Sequence, residues 1–244
     1  YLVNGTVHLS GRSPLTIDWN GSGWVQKVRS ATRIFLVDGG GSGIRLLTPK
    51  ITGANPNPGK WDPAWENNHA IQVGGVDGID IVQAQLTNVC GDGIYLSGGA
   101  NKWAKRVNVL QPVIDGIGRM GISFTDGVSG FLIDAAKFAR IGYYTIDFEP
   151  NGATVEGRAA GAENGVIRNC VASVKPYGDY FRDKTQANGY YLVFTGASGG
   201  GPANNIECYG CRSDDPTPGL TDFRWNNFLG GSVNVHDNVR QVQS

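Results

Sequence analysis

Apolar and polar residues alternate over short runs along this chain, and the period of an amphipathic helix is almost absent. Such alternation predicts short strands with one buried face. The runs also recur. Gly93-Ile94-Tyr95-Leu96-Ser97 returns as Gly121-Ile122-Ser123-Phe124-Thr125, and more loosely as Thr145-Ile146-Asp147-Phe148-Glu149 and Leu192-Val193-Phe194-Thr195. A second series runs through Ile79-Asp80-Ile81, Val107-Asn108-Val109, Phe131-Leu132-Ile133, Ile206-Glu207-Cys208 and Val233-Asn234-Val235. The repeats are spaced by roughly twenty to thirty residues where tight, and by more where loops intervene.

Paired strand motifs recurring at coil length predict an all-β chain folded as a right-handed parallel β-helix of about seven coils. Its rod would be roughly 35 Å long at the usual strand spacing. A β-sandwich also uses short alternating strands, but it gives no reason for the pairs to recur. Asn88, Gly91, Gly93, Asn169 and Gly189 are expected at left-handed corners between strands. Residues 1–244 are read as a single solenoid domain, with loop insertions at 53–68, 175–189 and 196–203. The chain opens inside a strand-like pattern at Tyr1, so it is expected to be part of a longer one.

Composition narrows the function classes. Glycine supplies 37 of 244 residues, about twice its ordinary share of ~7%. Lys plus Arg and Asp plus Glu balance at 21 each, which lacks the basic footprint of a nucleic-acid binder. No apolar run is long enough to predict a membrane-spanning helix. Cys90, Cys170, Cys208 and Cys211 do not form a disulfide framework for a chain this long. Cys208-Tyr209-Gly210-Cys211 leaves three alternatives: a zinc half-site, a local disulfide, or buried thiols packed as small hydrophobes.

The sharpest chemical feature is Asp147-Phe148-Glu149. With Ile146 and Phe148 facing inward, both acids should project outward. Their Cα atoms would stand ~6.6 Å apart. That is near the lower edge of the ~6.5–9.5 Å carboxyl separation of inverting glycosidases and above the ~5–5.5 Å of retaining ones. The pair can act as acid and base, chelate Ca²⁺, or simply be polar residues on a solvated face. Tyr95 and Ser123 should share the column of Asp147, and Ser97 and Thr125 that of Glu149. Tyr95 would offer a sugar an aromatic face. His69 is a candidate acid or base beside Glu66, Trp61 and Trp65, and otherwise a structural loop residue. Arg119 sits at a corner one coil from Asp147. Asp92 and Asp126 read first as turn residues.

The run from Gly53-Ala54-Asn55-Pro56-Asn57-Pro58-Gly59 through Glu66-x-x-His69, Gly78-Ile79-Asp80-Ile81, Gly91-Asp92, Gly118-Arg119-x-Gly121-Ile122 and Asp147-x-Glu149-Pro150-Asn151-Gly152 resembles the parallel β-helix proteins of actinobacteria and their phages. These are grouped with the pectate-lyase-like superfamily. The resemblance implies an extracellular or virion-associated protein that recognises a polysaccharide or cell-surface glycan and cleaves it as a hydrolase or lyase. It equally implies a non-catalytic glycan-binding or tail-spike module, for which a homotrimer is the expected assembly. The chain lacks the Asn-Thr-Asp, Gly-His-Gly and Arg-Ile-Lys series of polygalacturonases, so no catalytic residue carries over. From the residues themselves, Asp147, Glu149 and His69 are the catalytic candidates. Tyr95, Trp61, Trp65, Glu66, Arg119 and Ser123 are the substrate-binding ones.

Overall fold

A computed structural model describes residues 1–99, 101–173, 192–194, 201–213 and 231–240. The chain is a parallel β-solenoid of about seven coils. Each coil adds one strand to each of three parallel sheets, here named A, B and C. It passes through sheet B (for example Ile94–Ser97), then sheet C (Ala104–Leu110), then sheet A (Val113–Asp115). Both expected repeat series are present in register: Ile94 pairs with Ile122 and Ile122 with Ile146 in sheet B, and Val107 pairs with Phe131 in sheet C. The insertions at 175–189 and 196–200, and Gly189, lie outside the described residues.

Register makes the core a set of side-chain columns. In sheet B the inward residues stack as Phe35, Ile71, Ile94, Ile122 and Ile146. In sheet A they stack as Ile51, Leu86, Ile114 and Phe138. All belong to one hydrophobic core. Neighbours in a column must share space. Phe131 packs its ring 4.4 Å from Phe124, which stacks on Phe148 at 4.5 Å. The next residue in the Phe131 column is Gly165, where an added Cβ would lie 1.9 Å from the Phe131 ring. One oversized side chain is accommodated by a missing one.

The four cysteines follow the same logic. All are buried free thiols. Cys208 takes an inward place beside Ile167 in sheet C, and its Sγ lies 4.0 Å from that of Cys211. The hydrogen bond to Cys211 and burial both push the Cys208 thiol up, so its sulfur stays protonated.

The corner from sheet C to sheet A turns on a single left-handed residue in coil after coil: Thr48, Gln83, Gln111, Ala135, Asn169, Gly210 and Asp237. Asn88 and Asn169 are left-handed as expected, but Gly91 and Gly93 are not. Those two glycines are needed for close approach instead. A Cβ would lie 2.4 Å from the Glu66 carbonyl oxygen at Gly91 and 2.6 Å from that of Gly121 at Gly93.

Two predictions follow from these columns. Gly165→Val should destabilise the solenoid by about 1–3 kcal/mol through overpacking, and Phe131→Val should relieve part of that loss in the double variant. Additive losses in a denaturant double-mutant cycle would show that the two do not share space. Ala135→Asn should raise stability by about 0.5–1 kcal/mol, because asparagine tolerates the left-handed conformation better than alanine. An unchanged or lower midpoint in denaturant melts would count against that account.

Candidate functional site

The outer face of sheet B carries the candidate chemistry. Tyr95, Ser123 and Asp147 pair in register across three coils, as the alternation predicts. Ser97 lies beside Gly74 in the neighbouring outward column, which backbone bonds continue through Thr125 and Glu149. A third column stands at the leading corner of the same strands. Arg33, His69, Asp92, Met120 and Tyr144 each precede an inward column residue by two places, and carbonyl-to-amide bonds link successive coils there.

Asp92 is the anchor of this site. It is fully buried. Its carboxylate accepts from Arg119 Nη1 at 3.0 Å, from Ser123 Oγ at 2.7 Å and from the Met120 amide at 3.1 Å. Arg119 also donates from Nη2 to Glu149 Oε2 at 2.6 Å. Burial works against the guanidinium charge, but Asp92, Glu149 and Asp147 outweigh it and raise the Arg119 pKa. The guanidinium thus bridges an enclosed acid and a partly open one, since the Glu149 side chain keeps 33% exposure. Among the described residues, no group of three His, Cys, Asp or Glu side chains is arranged to hold a metal.

His69 stacks on Tyr95 with ring centroids 4.5 Å apart and planes inclined by 18°. Its Nδ1 accepts the Asp92 backbone N–H at 3.1 Å, which assigns the proton to Nε2. Asp92 Oδ2 lies 3.5 Å from the same nitrogen, but with no proton there this is not an ion pair. Desolvation by burial lowers the His69 pKa to about 4, against an opposing pull from Asp92. Burial also raises the Tyr95 pKa. Neither ring is charged near neutral pH.

No family model, curated protein or solved structure matches the chain. Its site is therefore read from its own residues. The structure brings together His69, Tyr95, Arg119, Ser123, Asp147 and Glu149. Asp147 projects from the outer face as expected, but it is fully buried rather than open to solvent. Trp65 belongs to a short 3₁₀ turn, Pro63–Trp65, capped by Asp62, and holds the Arg29 guanidinium 4.8 Å above its ring. Trp61 stacks on Tyr143 at 5.4 Å, and the Tyr143 amide donates to the Arg119 carbonyl. Glu66 is exposed at the end of the insertion.

Asp92 is the residue that a turn-based reading of Gly91-Asp92-Gly93 misses. Its signal lies in the offset to the repeat: it precedes Ile94 as His69 precedes Ile71.

The His69 environment sets a pH dependence. In the unfolded chain the imidazole titrates near its ordinary 6.5, and in the fold near 4. Between those values the unfolded state binds more protons. Stability is therefore full above pH 6.5 and falls as the pH drops toward 4, by about 3 kcal/mol in all. Ring NMR should place the His69 midpoint well below 6.5, and His69→Asn should flatten this part of the stability profile. A midpoint near 6.5 would contradict the buried neutral ring.

Proposed function

We propose that the outer face of sheet B binds an extended polysaccharide laid along the solenoid axis, as part of an extracellular or virion-associated protein of the pectate-lyase-like type. One observation carries this reading. A groove of about 320 Å³, lined by His8, Arg33, Asp38, Gln72 and Ser97, lies on the same face as the charged cluster and in register with it. Gln72 in the groove pairs directly with Tyr95 in the cluster. A polymer in the groove would therefore pass onto the aromatic ring and toward the Arg119–Glu149 pair.

The side chains suit a sugar. Amide, hydroxyl and guanidinium groups exchange hydrogen bonds with hydroxyls, and Tyr95 offers a flat apolar surface. They are also fixed in advance. Arg33 Nε donates to Gln72 Oε1 at 2.7 Å, and His8 Nε2 lies 2.8 Å from Asp38 Oδ1. Fixed side chains lower the entropy lost on binding.

Recognition is better supported than cleavage. A hydrolytic acid pair needs both carboxyls at one glycosidic bond. Asp147 is enclosed, whereas Glu149 keeps solvent access and is held by Arg119. Cleavage on this face would require Asp147 to be uncovered when the ligand binds. Ca²⁺ chelation by the same acids would compete with Arg119 for Glu149.

Binding can be followed with bacterial wall polysaccharides and pectin-like polymers. Tyr95→Ala and Gln72→Ala, checked by thermal melts, should each weaken binding tenfold or more. Unchanged affinity in both variants would remove sheet B from consideration. New reducing ends or unsaturated products that vanish in Glu149→Gln would establish cleavage. Light scattering at three times the 26.0 kDa chain mass would establish the trimer expected of a spike.

A further inference from the structure

A second groove runs along the corner between sheets C and A, on a different face from the site above. Its larger hollow, about 440 Å³, is lined chiefly by Thr48, Gln83, Gln85, Gln111, Val113 and Lys137. A second hollow of about 330 Å³ shares Thr48 and Gln85 with it and extends the groove toward the first coils. The groove lies between two outward columns. One is the left-handed corner column, containing Thr48, Gln83 and Gln111. The other is the outward column of sheet A, in which Gln85 pairs with Val113 and Val113 with Lys137.

We propose that this groove is a second binding site, for an uncharged oligosaccharide extended along the solenoid axis. Lys137 is the single charged side chain lining the larger hollow, and the second adds one of each sign, Lys50 and Asp18, so no run of like charge marks the groove for an ionic ligand. The remaining polar groups are amides and a hydroxyl, which both donate and accept, as sugar hydroxyls do. Gln83 Nε2 donates to Gln111 Oε1 at 3.1 Å. That bond restrains two long side chains, while the Gln83 carbonyl and the Gln111 amino group remain for a ligand. Val113 faces outward at 43% exposure. It supplies an apolar spot between polar neighbours, where the C–H face of a sugar ring can rest. An extended peptide fits less well. The Gln85–Thr87 strand is paired on both sides, so the groove offers no free strand edge for augmentation.

The probes are neutral hexasaccharides of β-1,4-linked glucose and of β-1,4-linked N-acetylglucosamine, titrated into the whole chain and followed by amide NMR shifts. At least one should shift the Val113 and Lys137 amides. The Gln85→Ala/Gln111→Ala double variant changes only exposed side chains. It should weaken that response tenfold or more, while any response at the Tyr95 amide persists. Tyr95→Ala should do the reverse, so failure at one face is distinguishable from failure at the other. If neither probe shifts Val113 and Lys137 at millimolar concentration, or if the double variant keeps the full response, the proposal is overturned.

Discussion

Parallel hydrogen-bonded pairing in fixed register is the constraint on which everything else rests. Each strand is locked to the same strand of the coils before and after it, so a side chain's surroundings are set by its counterparts one coil away. Inside, this yields columns such as Phe35 through Ile146. A β-strand spaces its neighbours by ~4.8 Å, so a column residue cannot change size without its neighbours responding. Phe131 over Gly165 is that rule at its extreme. A one-residue slip would move every inward side chain of a strand to the outer face.

The same locking organises charge on the outer face of sheet B. Asp92 cannot leave its place, because Arg119, Ser123 and the Met120 amide all hold its carboxylate. Removing one partner of such a buried pair typically costs about 3–5 kcal/mol, so the network is rigid. Rigidity passes outward: Arg119, pinned by Asp92, fixes where Glu149 stands. His69 is neutral because burial disfavours the imidazolium more than the Asp92 carboxylate favours it, and the Asp92 backbone N–H fills the Nδ1 lone pair.

Much of this was legible in the sequence. The two repeat series give sheets B and C and their register, because their strands are long enough to alternate. Sheet A was harder to read. Its strands, such as Gln85–Thr87 and Val113–Asp115, carry one inward residue each, so they show no alternation. Tyr95, Ser123 and Asp147 were placed in one column from the pattern alone. The burial of Asp147 was not, since alternation tells which face a residue takes and not what covers that face. Asp92 was hidden by its glycine neighbours, which suggest a turn. Trp61 and Trp65 lie on an insertion, where no repeat exists to align them.

The left-handed corners have a further consequence for how such a rod can change over time. Beyond the longer first corner at Asn20 and Gly21, the described turns from sheet C to sheet A, from Thr48 to Asp237, each use one left-handed residue, so that edge has little room for added length and its geometry repeats with little variation. The other corners accept whole excursions, such as residues 53–68 and the hairpin of Thr154–Val155 with Arg158–Ala159. One edge of the molecule therefore acts as a fixed spine. Novelty accumulates on the opposite flank, where new loops can be tried without disturbing the stack.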